Sequence, residues 1–477
     1  MARPEALSAL ESAFLHLERG RNPIHIGTIA VLEGPPLRDP QGRLEVGRIR
    51  EHIEGRLHLA PKLRRRIRHA VLPGAPSVWI DDPEFDIANH VSGARLDPPG
   101  SMDQLLELGA ELLGTPLDPD RPLWHFLFVD GLEGDRVGVV ERIHHAMADG
   151  LAGVEMATVL LDLEPHDRDG GSPAAGGAPW RPEAQPWLGR EAVHDLVRLN
   201  EIGWRWVGRG LRAARHPLGT AQAAVRLGGA VTALTGTGLG RASTSLNRPI
   251  GEERRVSVVR EPLRGFAEVA HAFDVTLNDV VLTVIGGAVA RLLDGRGERP
   301  PAEVQVLVPV GLEPVERHGL GNRVSAWLVK VPADSGDPVG RLSEVAVATG
   351  GARVHHEELA AEALLDLVAP LPQPLVAAAV RLVDHQPLIN LIVTNVPGPP
   401  FPLYVLGSRM LEAYPFVPVA GNLTLGVAVL SYDGWLALGI LADAATCPDV
   451  AIFAQGIEEQ LGTLRQAIPA RIRPEIA

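Results

Sequence analysis

The amino-acid sequence predicts an α/β protein built from two similar-sized halves. Helix-spaced and strand-like apolar patterns alternate at both ends of the chain. Between them, Gly170 to Pro186 is rich in Gly, Pro and Ala, the composition of a linker. At roughly 100–200 residues per domain, a chain of 477 residues accommodates two or three domains. The expected division is an N-terminal half at 1–164, a linker at 165–250 and a C-terminal half at 251–477.

In the first half, Leu7 to Glu18 has helical apolar spacing, and Ile24 to Leu32 alternates like a strand. Ser101 is placed to cap a helix running to Leu113. Trp124 to Val129 and Val137 to Ile143 read as buried strands, and Gly150 to Leu163 as a helix. After the linker, Ala192 to Arg215 is helical in pattern. Arg198, Arg205, Arg209 and Arg212 fall on one side, and Leu196, Leu199, Trp206, Val207 and Leu211 on the other. From Leu196 to Arg248 there are eight arginines and one acid, Glu201. Two readings stay open: a helix lying on an anionic membrane or lipid droplet, or one packed on its own protein with a solvated Arg face.

In the second half, Asn278 to Leu293 is helical, and Val304 to Val310, Val324 to Val331 and Leu388 to Asn395 read as strands. Leu423 to Ser431 and Trp435 to Leu441 form a hairpin pattern joined through Asp433-Gly434, a favoured turn dipeptide. Pro448 to Ile468 reads as a closing helix with Pro in its first turn.

Hydrophobic residues make up 45% and charged residues 22% of the chain, so it can bury large cores and is not disordered as a whole. The formal charge of −13 gives no electrostatic footprint for nucleic acid. The single cysteine, Cys447, allows no internal disulfide and fits a reducing cytoplasm. The amino terminus opens no apolar signal core, and no uninterrupted apolar run reaches the roughly 18 residues of a spanning helix. Membrane contact is therefore expected to be peripheral.

The strongest chemical signal is Glu141-Arg-Ile-His144-His145-Ala-Met-Ala-Asp149-Gly150, between an apolar strand and the predicted helix. A strand end is a rigid mount for a reactive side chain. A histidine there can take a proton near neutral pH. Gly150 permits backbone conformations closed to other residues, and Asp149 is placed to hold the loop. A histidine pair can also bind metal. However, adjacent strand residues point to opposite faces, and there is no HExxH pair or Cys-His cluster, so no metal is expected.

His144-His145-x-x-x-Asp149-Gly150 resembles the HHxxxDG motif of the coenzyme A-dependent acyltransferase superfamily. Further segments resemble its wax ester synthase/diacylglycerol acyltransferase branch. They are Arg121-Pro122-Leu123-Trp124, Leu277-Asn278-Asp279-Val280-Val281-Leu282, Gly321-Asn322-Arg323-Val324-Ser325, and Thr394-Asn395-Val396-Pro397-Gly398-Pro399. The opening from Leu7 to Phe14-Leu15 and on to Pro23-Ile24-His25-Ile26-Gly27 fits as well.

The resemblance implies two chloramphenicol-acetyltransferase-like halves, mixed sheets with flanking helices, and an active-site tunnel between them. It implies fatty acyl transfer from acyl-CoA to diacylglycerol, giving triacylglycerol, or to a long-chain alcohol, giving a wax ester. The catalytic set carried over is His144, His145, Asp149 and Gly150. His145 is the base, and Asp149 is a structural residue that pairs with an arginine. Trp124, Asn278, Asp279 and Asn395 are candidate substrate contacts. By pattern, Trp124 also reads as a packing anchor, and Asn278 and Asp279 as helix caps. Acyl-CoA enters as co-substrate with no separate cofactor. One departure stands out: where many relatives carry Ser-x-Arg after the strand ending at Val310, this chain has Gly311-Leu312-Glu313. That leaves room for a specialised hydroxyl acceptor. A lipid-body coat protein without activity is a further reading, opposed by the intact His145 and Asp149.

Overall fold

The computed structural model describes residues 5–18, 22–147, 159–165, 180–182, 192–200, 204, 244–311, 324–334, 336–354, 386 and 388–469. The architecture is two six-stranded mixed sheets with helices packed on them, plus a small three-stranded sheet.

The N-terminal elements are β1 (Glu5–Ala6), α1 (Ala9–Leu17), β2 (His25–Glu33), α2 (Val46–Arg56), β3 (Arg65–Arg68), β4 (Val78–Asp81), β5 (Val91–Arg95), α3 (Met102–Leu113), β6 (Trp124–Leu132) and β7 (Arg136–His144). Local chemistry sets the helix starts. Ser8 caps α1 and Ser101 caps α3. In each case the hydroxyl accepts the N–H three residues on, and Glu11 or Gln104 reaches back to the cap backbone. Such boxes satisfy donors that a helix start leaves unpaired. Glycines let α3 lie close on the sheet. A Cβ at Gly109 would strike Ile29, and one at Gly138 would strike the Leu105 side chain.

The C-terminal elements are β8 (Arg254–Pro262), α4 (Leu263–Ala272), α5 (Leu277–Gly295), β9 (Glu303–Gly311), β10 (Val324–Pro332), α6 (Pro338–Val354), β11 (Leu391–Pro397), β12 (Tyr404–Val405), β13 (Ser408–Phe416), β14 (Leu425–Tyr432), β15 (Trp435–Asp443) and α7 (Val450–Gln466). Their sheet runs β10-β9-β11-β14-β15-β8. α5 is buried on nearly every side, which explains its lack of a clear polar face. No single described helix is long and apolar enough to cross a membrane. α4 and α5 reach that length and composition only together, as a pair bent by 102°.

The N-terminal sheet runs β12-β13-β2-β7-β6-β5. β12 and β13 come from the stretch 251–477 yet lie in this sheet, with β13 antiparallel to β2. The C-terminal stretch thus gives two strands to the N-terminal sheet, besides packing against it. Ile29, Val31, Leu105 and Leu113 pack there with Tyr414, Phe416, Ala437 and Leu441 in one apolar cluster.

Several expectations shift. The α5 cap is Thr276 rather than Asn278 or Asp279. Asp279 is the third helical residue and returns the hydrogen bond to Thr276. The strand expected from Leu388 begins at Leu391, because Gln386 holds the backbone N–H groups of Leu388 and Ile389, and Asn390 pairs with Gln305 outside the ladder. One of the two sequence readings places Arg198 on a solvated face. It is buried at 7% exposure against Asp195, which accepts the N–H groups of Val71 and Leu72, while Leu196 is 61% exposed. The polar side of the helical residues 192–200 therefore faces the protein and an apolar side faces outward. Arg205, Trp206, Val207, Arg209, Leu211 and Arg212, and most of the expected helix from Gly150 to Leu163, lie outside the described residues.

Trp124 tests how far this arrangement rests on its core. Its indole is 1% exposed, donates to the Leu63 carbonyl at 2.7 Å, and stacks on His90 at 4.6 Å. Trp124→Ala should cost about 3–5 kcal/mol in urea unfolding, from lost transfer energy and a residual cavity. Leu59→Ala, at a side chain 49% exposed, should cost less than about 1 kcal/mol. A Trp124→Ala loss as small as that of Leu59→Ala would remove the indole as an anchor.

Candidate active site

β7 sits between β2 and β6, and both neighbours hold its end. β2 pairs with it antiparallel, with His25 opposite His144 and Ile26 opposite Ile143. On the other side, Trp124 lies opposite Ile143. Beyond the regular ladder, the His144 N–H donates to the Leu123 carbonyl at 2.9 Å, and the His145 N–H to the Ile24 carbonyl at 2.8 Å. The Met147 N–H then turns back to the His144 carbonyl at 2.8 Å. Three stretches singled out in the sequence thus meet here: Pro122-Leu123-Trp124, Pro23-Ile24-His25 and His144-His145. Their backbones fix the histidine pair.

The two imidazoles have different surroundings. His144 is 1% exposed. Its Nδ1 accepts the Ala146 N–H at 3.0 Å. Its Nε2 lies 2.6 Å from Glu18 Oε2, an oblique approach that makes no well-aligned hydrogen bond. His25 stands across from it with ring centroids 6.1 Å apart, and both its nitrogens are buried without a hydrogen-bond partner. Burial, then the neighbouring His144 and Arg142, hold His25 well below the ordinary histidine range.

His145 follows the last ladder residue and is only partly buried. Its ring stacks on Phe14 of α1, with centroids 3.8 Å apart and planes 19° from parallel. Burial lowers its pKa to about 4; its own backbone carbonyl works against that shift, and His144 reinforces it. The imidazole is therefore neutral at physiological pH. Its Nδ1 is buried without a hydrogen-bond partner.

Other sequence candidates sit elsewhere. Trp124, with its N–H and both flanks engaged, braces the strand beside the histidines. Asp279 is 3% exposed and fully used: one oxygen accepts from Thr276, and the other accepts the Thr349 hydroxyl at 2.6 Å. Both of its oxygens are thus engaged within the protein. Asn278 at the start of α5 and Asn395 on β11 are half-buried, and among the described residues neither is hydrogen-bonded to the histidine pair. Asp149, Gly150, Leu312, Glu313 and 321–323 lie outside the described residues. Among the described residues, no group of three or more His, Cys, Asp or Glu is arranged to hold a metal ion.

Sequence reasoning missed Glu18, His25 as a buried polar group, and Glu141. Glu141 lies on β7 between Thr28 and Phe126 in register. It keeps part of its surface open yet sits deep among protein atoms, and burial raises its carboxyl to about 7. The signal for Glu141 was an acid inside an apolar strand next to the motif. For Glu18 it was an acid at the end of a helix whose partner is remote in sequence.

The chain matches the wax ester synthase/diacylglycerol acyltransferase catalytic domain over residues 7–281 and the C-terminal domain of the same family over residues 320–465. It is 33% identical over 470 residues to a Mycobacterium bovis protein named as a diacylglycerol O-acyltransferase, covering 96% of this chain and 95% of that one. A Mycobacterium tuberculosis H37Rv protein with a like name gives the same identity and coverage. In fold, the chain is similar to the wax ester synthase/diacylglycerol acyltransferase from Marinobacter aquaeolei VT8, with a TM-score of 0.69 and 21% identity, covering 97% of this chain and 99% of that one. It is also similar to the first condensation domain of the CDA synthetase, with a TM-score of 0.55 and 14% identity, covering 98% and 97%. With family domains matched along most of its length and relatives aligned nearly end to end, the chain belongs to the wax ester synthase/diacylglycerol acyltransferase family of acyltransferases.

Proposed function

We propose that this protein transfers a fatty acyl group from acyl-CoA directly to the hydroxyl of diacylglycerol or of a long-chain alcohol, with His145 as general base. The observation that carries the reading is the placement of His145 at the end of β7, its backbone N–H held by the Ile24 carbonyl and its ring stacked on Phe14; burial keeps that ring neutral. Nδ1 is buried, so the proposed base is Nε2.

As the acceptor oxygen attacks the thioester carbonyl, Nε2 takes the hydroxyl proton. The new C–O bond gives a tetrahedral oxyanion, which hydrogen-bond donors stabilise. The C–S bond then breaks, and the imidazolium returns its proton to the coenzyme A thiolate. Both substrates are bound together, in a tunnel between the halves, and no acyl-enzyme forms. Asp149 and Gly150 shape the turn after the histidines, and Asn278 and Asn395 contact substrate. Acyl-CoA is a co-substrate, and the chemistry calls on no further cofactor.

The acceptor is water-insoluble, so we place the working enzyme on the cytoplasmic side of a membrane or on a lipid droplet. The outward apolar side chains of Val193, Leu196 and Trp204, 56%, 61% and 67% exposed, favour that placement. The arginine-rich composition of 196–248 also favours it.

The reaction is tested by thiol release from palmitoyl-CoA, with dioleoylglycerol and hexadecanol as separate acceptors. Release should depend on acceptor, and His145→Ala should lower kcat by about 10²–10⁴-fold while unfolding as wild type does. A folded, fully active His145→Ala would sink the general-base role. No release with either acceptor from folded protein would point to a specialised hydroxyl acceptor or to a lipid-body protein without activity. For the lipid surface, Leu196→Asp combined with Trp204→Asp should weaken co-flotation with phosphatidylglycerol vesicles. Unchanged flotation would assign the contact to another face.

A further inference from the structure

α1 touches both histidines, through residues one turn apart. Phe14 stacks on His145, and Glu18, four residues on, places Oε2 against His144 Nε2. Residues at this spacing lie on one face of a helix. α1 ends there, with the Glu18 N–H donating to the Phe14 carbonyl.

The proton on His144 follows from its contacts. Nδ1 accepts the Ala146 N–H, so it carries no proton. A bare Nε2 lone pair 2.6 Å from a carboxylate oxygen would repel it, so Nε2 holds the proton. The tautomer that turns its proton toward Glu18 is therefore the one whose Nδ1 can accept from Ala146. His25, the other imidazole beside His144, makes no hydrogen bond to it. Arg142, on the same strand, is turned to the Leu112 and Thr115 carbonyls. Glu18 is thus the side chain in position to favour the same tautomer as the Ala146 N–H does.

We propose that Glu18 is a positioning residue for acyl transfer: by setting the His144 tautomer it locks the Ala146 turn that aims His145, while Phe14 on the same helix face holds the His145 ring. This rests on His145 being the base. Glu18 itself touches neither substrate nor the reacting atoms in this scheme. It acts through His144, as outer residues orient the groups that do the chemistry.

Two measurements on the full-length protein test it. The first is a mutant cycle read by thiol release. Glu18→Ala should lower kcat about 10-fold to 100-fold, with KM for palmitoyl-CoA little changed. Glu18→Gln, whose amide oxygen can accept from Nε2–H, should recover most of that loss. Glu18→Ala in a His144→Ala background should add nothing further, since both act through one contact. Independent, multiplying losses or a fully active Glu18→Ala would overturn the proposal. The second is the ¹⁵N spectrum of His144, which needs no turnover. Wild type and Glu18→Gln should show Nε2–H with a bare Nδ1, and a His144 carrying its proton on Nδ1 in wild type would overturn the proposal. An active His145→Ala would instead remove the general-base reading and leave the tautomer result standing, so the two failures are distinct.

Discussion

The rung between His145 and Ile24 is the contact on which the site depends. β2 and β7 pair along their whole length, and the ladder ends where the His145 N–H meets the Ile24 carbonyl. One residue of slip would exchange every face of β7. His144 would then lose Glu18 and Ala146, and His145 would lose Phe14. The register is pinned from both sides: by β6, which Trp124 anchors to the Leu63 carbonyl, and by β13, which crosses from the C-terminal half to pair with β2. Burial of apolar surface drives this packing, and the backbone hydrogen bonds decide where each side chain points.

Much of this was legible because it is local. Ser8 and Ser101 announce their helices through capping boxes that span three residues. Asp433 and Gly434 both have positive φ, 46° and 81°, as the β14–β15 turn requires. The strand ending in His144 was readable from its apolar run. Long-range facts were not. β13 carries Glu412, Tyr414 and Pro415 among its apolar residues, and nothing in that pattern says which sheet it joins. Arg198 faces inward because Asp195 and two backbone N–H groups over 120 residues away satisfy the buried end of its helix. Thr276 outcompeted Asn278 as a cap because Asp279 could close the box only from the third helical position.

The electrostatic character of the site is set by burial more than by charge pairing. Burial is the leading cause for His25, His125 and His145, all pushed below the ordinary histidine value, His125 and His145 to about 4. The unfolded chain takes up these protons as pH falls through about 6.5. The folded chain resists until near 4 for His125 and His145, so these groups cost stability as pH falls across that window. Glu141 acts in the opposite sense. Its folded value of about 7 lies above the ordinary carboxylate, so its penalty grows as pH rises toward 7. The two windows overlap between about 4.5 and 6.5, so no pH relieves all of these groups: near neutral pH the histidines cost little and Glu141 carries its penalty, and toward pH 4 the reverse holds.

The central claim is that the fold presents His145 as a neutral base. The most direct measurement is the pH titration of its imidazole by NMR in ¹³C,¹⁵N-histidine-labelled protein, with the resonance assigned by its loss in His145→Ala. The account predicts a neutral ring from pH 8 down past 6, with the proton on Nδ1 and a midpoint near 4. A midpoint at about 6.5, the value of a freely solvated histidine, would contradict it.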